Sequence, residues 1–141
     1  TLFWFHTNLE APRGRVIGID ITQPARDRWQ EIIAEQTQTL ESVSLIHDQF
    51  IAAYLKNAHS QIQVFDLQGQ ALRSIDLPGL GSVSGFGGQR QDQETFYSFT
   101  SFTAPTTIYH YDCSTGKSTL FRQPQVDFNP QDYETHQVFY S

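Results

Sequence analysis

A step of 46 residues recurs along this chain and carries the same kind of segment with it. Val16-Ile17-Gly18-Ile19-Asp20, Ile62-Gln63-Val64-Phe65-Asp66 and Ile108-Tyr109-His110-Tyr111-Asp112 are apolar, β-prone runs that each close on an aspartate. The same step aligns Trp4 with Phe50 and Phe96, and Phe5 with Ile51 and Tyr97, in the segment ahead of each run. In the segment behind, it aligns Trp29 with Ile75 and Phe121. A unit of about 40 to 50 residues holding several short strands is the mark of propeller blades.

The units divide into strands at turn signals. In the third unit, Glu94 to Asp112 (ETFYSFTSFTAPTTIYHYD) is aromatic and β-branched on both sides of Ala104-Pro105, the composition of a hairpin. Ser82 to Phe86 precedes it, and Lys117 to Arg122 follows a Cys113-Ser114-Thr115-Gly116 turn. The second unit reads Glu41 to His47, Gln49 to Lys56, Gln61 to Leu67 and a last strand to Leu77, with turns at His47-Asp48, Asn57 to Ser60 and Gln68 to Gln70. The first holds Leu2 to Thr7, Arg15 to Ile21 and Trp29 to Glu35, the last suiting either strand or helix. The repeat favours a strand there. The opening strand of that unit is not in the chain, so the expected fold is all-β, a partial propeller of about three four-stranded antiparallel blades, with the first lacking a strand.

Several functional classes conflict with the composition. Net charge is −6, and the nine basic residues are scattered, which offers no stripe for nucleic-acid phosphates. No apolar run approaches the ~20 residues of a membrane span, and no secretory signal is evident. Hydrophobic residues make up 38% of the chain, enough for a core. One cysteine, Cys113, supplies neither an internal disulfide nor a thiolate zinc site. That is compatible with a reducing compartment, and a cytoplasmic location is expected. Methionine is absent, so a piece of a longer protein is expected.

Within a blade, the small Ser42-Val43-Ser44 and Ser82-Val83-Ser84 suit an inner strand crowded around a central channel. Trp29, Ile75 and Phe121 are expected to pack between blades, and His110 to face a blade interface. The three aspartates should accept hydrogen bonds from amides of the turns that follow them. Three blades do not close a ring, so two apolar faces are expected to seek neighbouring blades or another copy of the chain.

Catalytic constellations are missing from the residues. A hydrolase nucleophile of the α/β type sits in G-x-S-x-G, and Gly81-Ser82-Val83-Ser84-Gly85 puts valine at the central place. His6, His47, His59, His110 and His136 lack metal-ligand spacing to one another. Gly85-Phe86-Gly87-Gly88 lacks the lysine of a phosphate loop. No catalytic residue, cofactor site or metal site is assigned.

Val83-Ser84-Gly85-Phe86, the run from Glu94 to Pro105 (ETFYSFTSFTAP), Ile108-Tyr109 and Asp112 strongly resemble the last propeller blade of prolyl oligopeptidases (prolyl endopeptidases). Leu120-Phe121-Arg122 and Asp132 to Ser141 (DYETHQVFYS) resemble that family's passage into its peptidase domain, and the strands ending at Asp20 and Asp66 resemble its preceding two blades. The resemblance implies the last blades of a seven-bladed propeller over residues 1–124, with blades at about 1–38, 39–79 and 80–124. Residues 125–141 would then be a linker into a peptidase domain absent from the chain. It further implies a serine peptidase of α/β-hydrolase type whose propeller admits short proline-containing peptides. This chain alone would then be no enzyme. The competing expectation is an independent propeller-type interaction module; the WD dipeptide and the kelch double glycine in register are both missing.

Overall fold

A computed structural model describes residues 1–140. β-Branched and aromatic residues alternate with small or polar ones over most of the chain, and these runs form eleven strands in three antiparallel sheets among the described residues. The first sheet holds β1 (Leu2–Thr7), β2 (Arg15–Asp20) and β3 (Gln30–Ile33). The second holds β4 (Thr39–Ile46), β5 (Gln49–Lys56), β6 (His59–Phe65) and β7 (Ala71–Ile75). The third holds β8 (Ser82–Gly85), β9 (Glu94–Thr100), β10 (Thr107–Asp112) and β11 (Lys117–Arg122). Within each sheet the strands pair in sequence order, as a meander of short turns demands. This is the fold expected from the repeat.

Two apolar cores lie between neighbouring sheets, and the middle sheet feeds both by the alternation of its side chains. Phe50, Ala52 and Tyr54 join Val16 and Ile33 in the first core. Ile51, Ala53, Ile62, Val64 and Ile75 join Phe86, Tyr97, Phe99 and Tyr111 in the second. Hence Phe50 to Tyr54 are all buried, whereas β9 buries only alternate residues and β1 half-buries Leu2, Trp4 and Thr7. The outer faces stay open: Phe3 and Phe5 are half exposed on the first sheet, as are Phe96 and Phe121 on the third.

One detail differs from the sequence expectations, and two others fall on an outer face that no sheet of this chain covers. The segment before β3 contains a short 3-10 turn, Arg26–Arg28, and Trp29 packs there rather than between blades. Its indole donates to the Pro24 carbonyl at 3.0 Å, with the Arg26 guanidinium 6.0 Å from the ring centre. Ile33 takes the interblade place instead: Val16 pairs with Ile33 as Ile62 pairs with Ile75. Phe121 lies on the open face, 5.0 Å from Phe96. His110 is on that same face beside Phe96, so within this chain it meets no second blade.

Candidate functional site

A meander puts alternate connections at opposite ends of the blades, and the two ends differ in chemistry here. One end carries the aspartate turns. Asp20 Oδ1 accepts from the Thr22 amide, Asp66 Oδ1 from the amides of Gln68 and Gln70, and Asp112 Oδ1 from those of Ser114 and Thr115. These amides hold the carboxyls of Asp20 and Asp112 below the usual carboxylate range, chiefly through Thr22 and Thr115 respectively. The aspartates shape turns, as their place after each strand predicts.

The other end is built from tighter backbone and holds the candidate site. Asn57 and Ala58 join β5 to β6 with φ of 49° and 63°, the pair of left-handed residues that a two-residue hairpin loop needs to match strand twist. The β9–β10 loop is tied by Ser101: its amide donates to the Ala104 carbonyl, and its hydroxyl accepts from the amides of Thr103 and Ala104. That rigid loop presents Phe102 fully to solvent. Gly81, entering β8, accepts from the Ser60 amide at 2.8 Å, and a β-carbon on it would lie 2.2 Å from the Thr100 carbonyl oxygen. Backbone here is too close for any side chain.

The segment after β11 returns across this end. Asn129 caps a 3-10 turn, Pro130–Asp132, by accepting from the Gln131 amide. Thr135 then meets Thr103 hydroxyl to hydroxyl at 3.4 Å, and the Gln137 amide group donates to the Asn57 carbonyl. Together these segments frame a groove of about 530 Å³ whose walls include His59, Leu80, Phe102, His136 and Val138. His59 Nδ1 is buried with no hydrogen-bond partner among the described residues. The surface is mainly apolar with a few backbone acceptors, which suits docking of peptide or protein. Sequence reasoning missed it. The available signal was Phe102, an aromatic residue in a Ser/Thr/Pro loop where turn chemistry alone has no use for one.

Ser82, His59 and His136 line this groove, and the other residues with chemical potential lie apart from it. Ser82 and Ser84 lie in the edge strand β8, where Ser84 Oγ pairs with Ser98 Oγ at 2.8 Å. His6 is on β1, His47 in the left-handed β4–β5 turn, His59 at the start of β6, His110 against Glu94 at 2.7 Å, and His136 beside Glu134 at 3.2 Å. Cys113 is fully buried, and burial pushes its thiol up, away from thiolate. Among the described residues no group of three or more His, Cys, Asp or Glu is placed to hold a metal. Among the described residues no helix is long and apolar enough to cross a membrane.

Known proteins share this architecture and sequence. A family model described as "Prolyl oligopeptidase, N-terminal beta-propeller domain" matches residues 1–124. The prolyl endopeptidase of Elizabethkingia meningoseptica is 39% identical over the whole chain, and that of Dictyostelium discoideum is 35% identical over 98% of it. The chain spans 20% and 19% of those two proteins. Among solved structures, one from a study of two prolyl endopeptidases superposes with a TM-score of 0.92 at 41% identity, over 99% of this chain and 21% of its own. Apo prolyl oligopeptidase B from Galerina marginata gives 0.88 at 27% identity, over 99% of this chain and 20% of its own. With three stacked meander sheets and a matching sequence throughout, the chain belongs to the prolyl oligopeptidase family, as part of its N-terminal β-propeller domain.

Proposed function

We propose that this chain is a non-catalytic propeller segment of a prolyl endopeptidase-type serine peptidase, in which the propeller controls access of short proline-containing peptides to a separate hydrolase domain. Residues 1–124 are the propeller part, in blades of about 1–38, 39–79 and 80–124 from the last part of a seven-bladed ring. Residues 125–141 lead into the peptidase domain. The observation that carries this is the path of the segment after β11, which leaves the last sheet and lies across the apolar groove at one propeller mouth. A domain joined through that segment would stand over that mouth.

The partners in this reading are the peptidase domain, the remaining blades and short peptides, with neither nucleic acid nor membrane, in the cytoplasm. The open faces of the first and third sheets would be covered by neighbouring blades, or by a second copy when the chain is alone. The test is enzymatic. The isolated chain should leave a short chromogenic proline peptide intact, while the same blades joined to the rest of the propeller and the hydrolase domain should cleave it and spare a folded protein. Turnover by the isolated chain, or a joined enzyme indifferent to substrate size, would overturn the proposal.

A further inference from the structure

The second and third sheets are joined covalently at one end only. The link from β7 to β8 runs at the mouth that carries the groove, where Ser60 holds Gly81 and Val83 by its amide and hydroxyl. At the opposite end, toward the aspartate turns, the seam is closed by Arg73. From β7 its Nε donates to the Tyr111 hydroxyl at 3.0 Å, and one Nη2 donates both to the Cys113 carbonyl at 2.7 Å and to Gln49 Oε1 at 2.9 Å. All three acceptors are neutral. The guanidinium also lies over Gly116, where a β-carbon would be 2.6 Å from Nε, so the third sheet leaves a bare backbone for it at φ 73°.

Two other polar ties cross at that end: the Asp48 amide donates to the Arg90 carbonyl at 3.4 Å, and the Arg90 side chain pairs with the Asp48 carboxylate, half exposed on both sides and screened by solvent. The first seam is closed differently at that end: backbone bears directly on backbone where Gly69 meets Ile32. Arg73 is therefore the part-buried charged side chain that ties the second seam away from its hinge, beside the apolar core that fills it.

We propose that Arg73 is an interblade latch: with it engaged, the last sheet stays shut against its neighbour, and with it released, the sheet swings about the link between Ile75 and Ser82, opening the propeller wall at the aspartate-turn end. A planar fork is needed to reach a hydroxyl and a carbonyl at once, which lysine does not supply. The consequence for the whole enzyme, that an unlatched wall admits longer polypeptides, rests on the gating reading above.

The test uses the full-length enzyme with Arg73→Ala and, should that variant fold poorly, Arg73→Lys. Hydrogen exchange reports the seam, and kcat/KM for a short proline peptide against a long disordered polypeptide reports the gate. Faster exchange at Tyr111 and Cys113 is expected, with the long-to-short ratio of kcat/KM up about tenfold and the short-peptide rate unchanged. Unchanged exchange at those amides in either variant overturns the latch. Faster exchange with an unchanged ratio upholds the latch and overturns the gating reading instead.

Discussion

Gly69 and Ile32 meet backbone to backbone across the first seam, so closely that a β-carbon on Gly69 would lie 1.7 Å from the Ile32 carbonyl oxygen. Gly69 also has φ 82°, in the left-handed region. Substitution therefore meets a backbone penalty and a steric one together. Gly69→Ala is expected to cost about 2–4 kcal/mol, from left-handed strain plus displacement of β3. Urea unfolding with an unchanged m-value would measure it, and a loss under ~1 kcal/mol would show that the seam relaxes easily.

Tyr54 is buried in the first core, with its hydroxyl accepting from Gln36 at 3.2 Å, and burial pushes its pKa up to about 12. Its folded pKa thus lies above the unfolded value, so its contribution is fully present below about pH 10 and is lost as pH rises toward about 12. Stability should fall across that window, and Tyr54→Phe should flatten the fall. Ultraviolet titration of the folded protein should show Tyr54 ionising late.

Asp112 behaves in the opposite sense. Amides of the turn hold its carboxyl below the usual range, so its contribution is present above the unfolded pKa and lost as pH falls through the folded one. Asp112→Asn should leave melting near neutral pH little changed relative to Asp112→Ala, because an amide oxygen still accepts from the turn. It should also make melting less pH-dependent on the acid side, as pH falls below the usual carboxylate range. A steeper acid limb in the variant would contradict this.

The open aromatic faces make a prediction about association. Phe5 on the first sheet and Phe121 on the third are about half exposed, and each faces away from the middle sheet. If these faces pair when the chain is alone, Phe5→Glu with Phe121→Glu should turn a self-associating species into a monomer in sedimentation. A wild-type chain that already sediments as a monomer would remove the self-association proposal.

The sequence by itself determined the strands, their grouping into meander sheets and the aspartate turns, because period-two alternation, turn residues and a carboxylate accepting from its own turn are all local physics. It did not determine which face each residue joins. The repeat set Trp4 beside Phe50 as equivalents, yet the two meet edge to face across the first seam, with ring centroids 5.8 Å apart. The hairpin of the middle sheet closes in the two-residue loop Asn57-Ala58, whereas its counterparts close in seven-residue loops, 8–14 and 100–106, which offsets its pairing by one residue. Leu2 therefore faces Asp20 and Glu94 faces Asp112, whereas Phe50 faces Phe65. A slip of one residue sends every side chain of a strand to the other face. Likewise the longer connection before β3 gave the interblade place to Ile33 rather than Trp29. The groove at the tail-side mouth and the reach of Arg73 across the second seam join residues 23 to 80 positions apart in the chain, and only packing of the sheets brings them together.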